Sequence, residues 1–393
     1  MKFVVLITDG ASGWPVDAFG GRTTLEAARL PNLDRMAREG RSGLAVTVPE
    51  DMEPSSAIAC MSVLGYDPRL YYGGRGPIEA LALGIQLEPG QAALRCNLVT
   101  VQQGIMRSYS AGNITSGESH ELIRTIQEEL GNERVRFHPG VGFRHILTVK
   151  AGEALLETVC TPPHDLADRA VEGHLPEGPE APLLLDLMER SKPLLASHPV
   201  NRQRASRGEA PATQIWLFWP GLQPGAMPSF RERYGVSAVM TSPVDLLRGI
   251  ARQVSMDVLE IPGVTDGPDN DYAAQMRGAL AALRDHDVVV VHVEAPDAMG
   301  HDGDAGAKKG AVEAIDREMV SQLQETAGEV RVLVMPDHPT PLAIKTHVAE
   351  PVPFLLWGPG LRGAPARAFT EKAAADTGLT VSAGHELMGM LLG

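Results

Sequence analysis

Short unbroken apolar runs, each stopping abruptly at a polar or turn residue, mark both ends of this chain. Residues 2–8 read as a buried strand ending at Asp9-Gly10, and residues 288–293, 330–335 and 353–357 read the same way. Near the N-terminus the period changes to helical. Leu33, Met36 and Ala37 share one face of a segment ending near Gly40, and Thr23 with Glu26 suits a helix start. A further helix is predicted from Ser56 to Leu64, opening after Pro54-Ser55. The middle differs. Residues 92–101, 105–110 and 135–150 have the spacing of a small sheet, residues 118–130 form an amphipathic helix, and VEGHLPEGPEAP (171–182) reads as a surface connection. Residues 213–219 then return to a buried strand. The expected fold is α/β: a core from residues 1–87 and 181–393, with a central, mostly parallel sheet flanked by helices, interrupted by an inserted α+β substrate or lid domain over 88–180. The chain shows no internal repeat and no low-complexity tract.

Length agrees with that division, since 393 residues exceed what one small core holds. A formal charge of −14 argues against nucleic acid as partner, because backbone phosphates demand clustered basic charge. It leaves small anionic substrates open, since metal ions and converging arginines reverse the field locally. Cys60, Cys96 and Cys160 have no CxxC spacing, which excludes a disulfide framework and a cysteine-held metal. The apolar stretch in MKFVVLITDG is too short for a signal segment, and no run approaches the roughly 18 apolar residues of a membrane span. A cytoplasmic setting, no membrane partner, and a monomer or small homo-oligomer are expected.

The chemistry gathers just past the strand ends. Asp297 and His301 lie four apart in EAPDAMGHDGD, Asp337 and His338 are adjacent in VLVMPDHPTP, and His347 follows in IKTHVAEP. Ligands in open α/β sheets collect outside the carboxyl ends of strands. Mixed carboxylate oxygen and imidazole nitrogen suits zinc, manganese or a similar divalent ion, and two such groups in one cleft predict a two-metal site. Asp9, also at a strand end, either caps a turn or joins them. The spacing of Asp297 and His301 suits one helical face, whereas Gly300 and Gly303 suit a loop. A metal centre needs a group to activate, and Ser56 is a candidate at a helix start, where the dipole favours negative charge. Ser55 and Ser62 compete with it, and a serine there is also the ordinary structural cap. Arg75 (between glycines in YYGGRGPIEA), Arg144 and Arg204 are candidates for binding phosphate or carboxylate.

These residues sit in ordered blocks that resemble the archaeal-type cofactor-independent (2,3-bisphosphoglycerate-independent) phosphoglycerate mutases of the alkaline phosphatase superfamily. The blocks are ITDG, TLEAARLPNLDRMAREG, SVLGYDPRLYYGGRGPIEA, RCNLVT, YSAG, GVGFRHILTV, PPHD, HPVNRQR, VHVEAPDAMGHDGDAGAKKGAVEAID, PDHPTP and KTHVAEPVPF, and they span nearly the whole chain. PDHPTP is similar to a bacterial subgroup that includes proposed homoserine kinases. The resemblance implies an alkaline-phosphatase-like core and two divalent ions (manganese, magnesium, zinc or cobalt), without 2,3-bisphosphoglycerate. One ion would be held by Asp9, Asp337 and His338, the other by Asp297, His301 and His347, with Ser56 as nucleophile at or between them. Arg75, Arg144, Arg204, Asn97, His164, Asp165 and Lys308 would contact a small phosphorylated carboxylate. The inserted domain would shield a phosphoserine from water.

The implied activity is interconversion of 3-phosphoglycerate and 2-phosphoglycerate. The chain departs from the family around the nucleophile. Pro54-Ser55-Ser56-Ala57-Ile58-Ala59-Cys60 stands where members usually read Pro-Gly-Ser-Asp-x-Ala-Asn, and Asn113 follows the glycine of YSAG where a histidine is frequent. The alternatives are a related phosphoryl transferase (a phosphatase, or a homoserine-kinase-like enzyme, although no P-loop is present) and a non-catalytic metal-binding homologue.

Overall fold

The computed structural model describes residues 1–222, 227–326 and 328–393. The chain forms two compact units, Met1–Tyr72 with Ala226–Gly393, and Gly73–Gly225.

The first unit is built on an eight-stranded sheet with Lys2–Thr8 near its centre, between Val288–Val293 and Val330–Met335. Both neighbours are parallel to it: Thr8 lies opposite Val293, and Ile7 opposite Met335. The three strands therefore end at one level, and the residues after them, Asp9, Glu294 and Asp337, emerge along one edge. Val352–Trp357, with antiparallel neighbours, interrupts an otherwise parallel sheet. All six residues of Val288–Val293 are buried, as a strand covered on both faces requires. One face packs Val4, Leu6, Val289 and Val332 against Leu33 and Met36 of helix Pro31–Glu39 and Met276 of helix Tyr272–Ala282. Thr23 and Glu26 form a reciprocal cap on helix Thr24–Ala27. Helix Pro31–Glu39 has no cap of its own. Asp316 supplies one from a π-helical turn, accepting from the backbone N–H groups of Asn32 at 3.2 Å and Leu33 at 2.7 Å.

The second unit is an antiparallel sheet around the long strand Ala92–Gln102. Arg144–Val149 pairs along one side, followed by Val135–His138, and Gln214–Leu222 pairs along the other. Within residues 135–150, Val135–His138 and Arg144–Val149 are thus two strands of a hairpin. Ile105–Ser108 returns through a two-residue turn at Gln103 and Gly104, both with positive φ. Leu94, Cys96 and Leu98 face a core with Leu122 and Ile126 of helix Ser116–Leu130 and Leu184 of helix Ala181–Ser197. By strand alternation Ala93, Arg95 and Asn97 lie on the other face, where Ala93 packs with Ala80 of helix Arg75–Ala82.

The inserted unit is longer at both ends than the expected 88–180. Strand Gln214–Leu222 completes its sheet, helix Ala181–Ser197 covers that strand, and helix Arg75–Ala82 packs against both Ala92–Gln102 and Gln214–Leu222. The proline- and glycine-rich stretch at 171–182 is a surface segment within this unit, not its boundary.

His145, buried in the Arg144–Val149 strand, ties this unit's stability to pH. Its Nδ1 accepts the Gly140 N–H at 3.0 Å, so the neutral ring carries its proton on Nε2, which has no hydrogen-bond partner among the described residues. Burial, with His120 and Arg95 adding repulsion, pushes its pKa down to about 3. Between that value and the roughly 6.5 of an unfolded histidine, the unfolded chain binds the extra proton, so stability falls as pH drops. Lowering pH from 7.5 to 5 is expected to cost about 2 kcal/mol through this group. Urea unfolding at both pH values checks it: His145→Gln should show a distinctly smaller loss than the native protein, and an equal loss refutes the assignment.

Candidate metal centre

The parallel register explains how residues far apart in sequence meet. Asp9, Asp337 and His338 are fully buried and place one ligand atom each within 4.8 Å of one another. Asp297, His338 and His347 form a second such group. His301, one helical turn beyond Asp297 on helix Ala295–Asp302, puts Nε2 3.1 Å from Asp297 Oδ2 and 2.9 Å from His347 Nε2. The Asp297–His301 spacing is therefore helical, and Gly303 closes that helix in the left-handed conformation. All six residues proposed from sequence as ligands belong to the first unit, and the chain brings them together there.

The backbone around them is shaped for close approach. A Cβ at Gly10 (φ +58°) would collide with the Asp297 carboxylate and the Thr340 hydroxyl. Thr340 Oγ1 donates to Asp297 Oδ1 and lies 3.3 Å from His338 Nδ1. The Asp337 carboxylate accepts the N–H groups of Gly10 at 3.2 Å and His338 at 2.8 Å.

Burial and charge set the protonation of the cluster. Burial, then Asp337, pushes the Asp9 carboxyl well above its usual range, and burial raises Glu294 to about 8. Burial also acts to raise Asp297, but hydrogen bonds from His301 and His347 prevail and hold it well below. The hydrogen bond to Asp297 lifts His301 to about 9, while burial lowers His338. Asp9, Glu294, Asp297 and Asp337 thus crowd one pocket, and among the described residues Asp9 Oδ1 is buried without a hydrogen-bond partner. An oxygen and nitrogen donor set of this kind, rich in negative charge, fits divalent cations.

Three serines competed in the sequence, and each has its own place. Ser55 caps helix Ser56–Val63, accepting the Ile58 N–H at 3.5 Å. Ser62 donates to the Thr47 carbonyl at 2.5 Å. Ser56, at the first helical position, directs Oγ to within 3.1 Å of His338 Nε2. One turn on, the buried Cys60 donates its S–H to Asp337 Oδ2 at 3.4 Å, and burial keeps that thiol protonated. Cysteine thus serves as a weak donor where the resemblance leads one to expect asparagine. Ala57 is buried and brings no carboxylate.

The other expected substrate residues fall into two kinds. Arg75, Asn97, Arg144, His164 and Asp165 belong to the second unit. Arg75 bonds Glu79 Oε1 at 2.9 Å and stacks over the Trp219 ring at 3.7 Å. Glu79 also pairs with Arg95, whose Nε donates to Asn97 Oδ1 at 3.1 Å. His164 lies beside Asp165 and packs against Tyr109, Phe218 and Trp219, while Arg144 sits over Phe143.

Arg204 and Lys308 are placed differently. Arg204 is 3% exposed and directs its guanidinium to Glu118 and the carbonyls of Ala210, Ala111 and Gly112. It clamps the loop in which Ala111, Gly112 and Asn113 all have positive φ. Lys308, fully buried, donates to the carbonyls of Ser12 at 3.2 Å and Thr340 at 2.6 Å, and burial lowers its pKa to about 8. It ties together the loops that follow the first and the Val330–Met335 strands.

Sequence reasoning missed His292 and Glu294, which form a third donor group with Asp9. A signal was present: His292 is the polar interruption in an otherwise all-valine strand. The partners of Arg75 and Asn97, namely Glu79, Trp219 and Arg95, carry no local signal that distinguishes them from ordinary sheet and helix residues.

Fold and centre together define an α/β protein with a metal-type ligand cluster at the carboxyl edge of its sheet and an inserted antiparallel unit. A sequence profile described as 2,3-bisphosphoglycerate-independent phosphoglycerate mutase matches residues 37–201. A protein of that name from Methanothrix thermoacetophila is 46% identical over 396 residues, covering 100% of both chains. A solved structure from Pyrococcus horikoshii superposes with a TM-score of 0.83 at 27% identity, covering 100% of this chain and 96% of its own. A cofactor-independent phosphoglycerate mutase from Thermoplasma acidophilum superposes with a TM-score of 0.69 at 27% identity, covering 100% and 99%. The chain belongs to the 2,3-bisphosphoglycerate-independent phosphoglycerate mutase family. Among the described residues no helix is long and apolar enough to cross a membrane.

Proposed function

We propose that this protein interconverts 3-phosphoglycerate and 2-phosphoglycerate through a phosphoserine at Ser56, with two divalent ions, one on Asp9, Asp337 and His338 and the other on Asp297, His301 and His347. The observation that carries this reading is the 3.1 Å approach of Ser56 Oγ to His338, the residue common to two donor groups. Bound there, divalent cations supply the positive charge that screens the phosphoryl oxygens and favours ionised serine.

The chain's own residues do the rest. Ser56 Oγ, at the positive end of its helix, forms a bond to phosphorus as the bond from phosphorus to the 3-oxygen of glycerate breaks. The hydroxyl proton leaves Ser56, and the departing 3-oxygen gains one. Glycerate then reorients, its 2-hydroxyl attacks the phosphoserine, and Ser56 is restored with its proton. Arg75, Arg144, Asn97, His164 and Asp165 are the candidates for recognising the substrate's anionic and hydroxyl groups, with Arg95 added through its bond to Asn97.

Ala57 and Cys60 favour a second reading, transfer to water or to a different hydroxyl, because the family's Asp and Asn beside the nucleophile are absent. One experiment separates the two. ³¹P NMR of the protein with Mn²⁺ and 3-phosphoglycerate should show the 2-phosphoglycerate resonance growing to equilibrium. Growth of inorganic phosphate instead, or an unchanged spectrum, overturns the mutase reading.

A further inference from the structure

His292 belongs to neither proposed ion site, yet it is the fully buried imidazole nearest the first one. It projects from strand Val288–Val293, whose carbonyl at this position is held by Gln275 Nε2 at 2.9 Å. Its Nδ1 lies 3.0 Å from Ser242 Oγ, and that oxygen accepts the Val244 N–H at 3.1 Å. The Ser242 hydroxyl can donate to Nδ1 while it accepts the Val244 N–H, which satisfies the Nδ1 lone pair. The neutral ring then carries its proton on Nε2, which faces Asp9 Oδ2 at 2.7 Å. In the opposite tautomer the Nε2 lone pair would confront an ionised carboxylate at that distance, so a cation-binding Asp9 admits only the first arrangement. The two Asp9 oxygens are thereby made unlike. Oδ2 is engaged by His292, while Oδ1 is buried without a hydrogen-bond partner among the described residues, 3.6 Å from His338 Nε2. Glu294 Oε2 lies 3.6 Å from His292 Nε2.

We infer that His292 is a positioning residue for Asp9: Ser242 sets its tautomer, and its Nε2–H fixes which carboxylate oxygen is presented to the ion. This rests on the reading that Asp9 holds a divalent cation. It differs from a role for His292 as a ligand, in which the imidazole would contribute its lone pair.

Titration of the metal-free protein with Mn²⁺ against a competing chelator tests it, alongside the unfolding midpoint of each metal-free protein. Outer partners of metal ligands are worth about 10–100-fold in affinity. His292→Leu should weaken one ion by an amount of that order while two ions still bind. His292→Gln, which restores an N–H near the Nε2 position, should recover most of it. Ser242→Ala should weaken the same ion and Ser242→Thr should not, with metal-free midpoints of the Ser242 variants close to native. A purely structural role would instead lower the metal-free midpoints and leave affinity unchanged. Native affinity in His292→Leu overturns the inference alone, as does loss of a whole ion equivalent, which would make His292 a ligand. Native protein that binds no Mn²⁺ overturns the metal reading and this inference with it.

Discussion

Ser56→Ala is expected to abolish interconversion of the two phosphoglycerates, by roughly 10⁴-fold or more in kcat, while leaving the fold intact and divalent ions still bound. The loss is large because a covalent route has no substitute for its nucleophile: without Oγ no phosphoryl group is held while glycerate turns. The fold should survive because Ser55, not Ser56, caps helix Ser56–Val63, and alanine is well tolerated at a first helical position. Steady-state kinetics coupled to 2-phosphoglycerate formation, with circular dichroism and ion titration on the same preparation, check all three statements. A variant keeping even a tenth of native activity would exclude Ser56 as the phosphoryl carrier. Ser55→Ala is the matched control: it loses a helix cap worth about 1 kcal/mol and should keep most of its activity.

Removing divalent ions has the other large expected effect. Dialysis against a strong chelator should take activity to background, and Mn²⁺ should restore it. The same treatment should lower the thermal midpoint, because Asp9, Glu294, Asp297 and Asp337 are then left close together without cations. Ions present at 100 times their dissociation constant contribute about 2.7 kcal/mol per site, so loss of two sites is a shift readily seen by calorimetry. Part of that penalty is relieved by protonation, since burial and mutual repulsion already raise Asp9 and Glu294. The chelated protein should therefore recover some stability as pH falls through about 8, the folded value of Glu294, whereas the loaded protein should not. Full activity after exhaustive chelation would remove the basis for the mechanism.

The elements of the first unit were legible because their apolar runs end at ligands. Val288–Val293 and Val330–Met335 each stop just before an Asp-containing segment, and the run from Lys2 to Thr8 stops at Asp9. The helical spacing of Asp297 and His301 was equally readable, with glycine at 303 acting as a stop rather than a loop. What sequence misjudged was long-range pairing. Residues 214–222 look like any buried strand, and only their partner, Ala92–Gln102, assigns them to the inserted unit. Arg204 shows the same limit at the level of one side chain. Its arginine chemistry suits an anion, and only the carbonyls of Ala111 and Gly112 reveal that it clamps a loop.

By itself the sequence determined which residue types could do the chemistry, where the strands that end at ligands would form, and to which family the blocks compare. These depend on local periodicity and on side-chain identity, both of which survive projection onto a line. The tertiary structure alone decided which serine meets an imidazole, which of the Asp9 oxygens is left without a hydrogen, and that His292 stands behind that carboxylate. Those are questions of distance between residues some 280 positions apart. For Asp9, His292 and Asp337 they are settled by the parallel register of Lys2–Thr8 with its two neighbours, whose ends finish at one level.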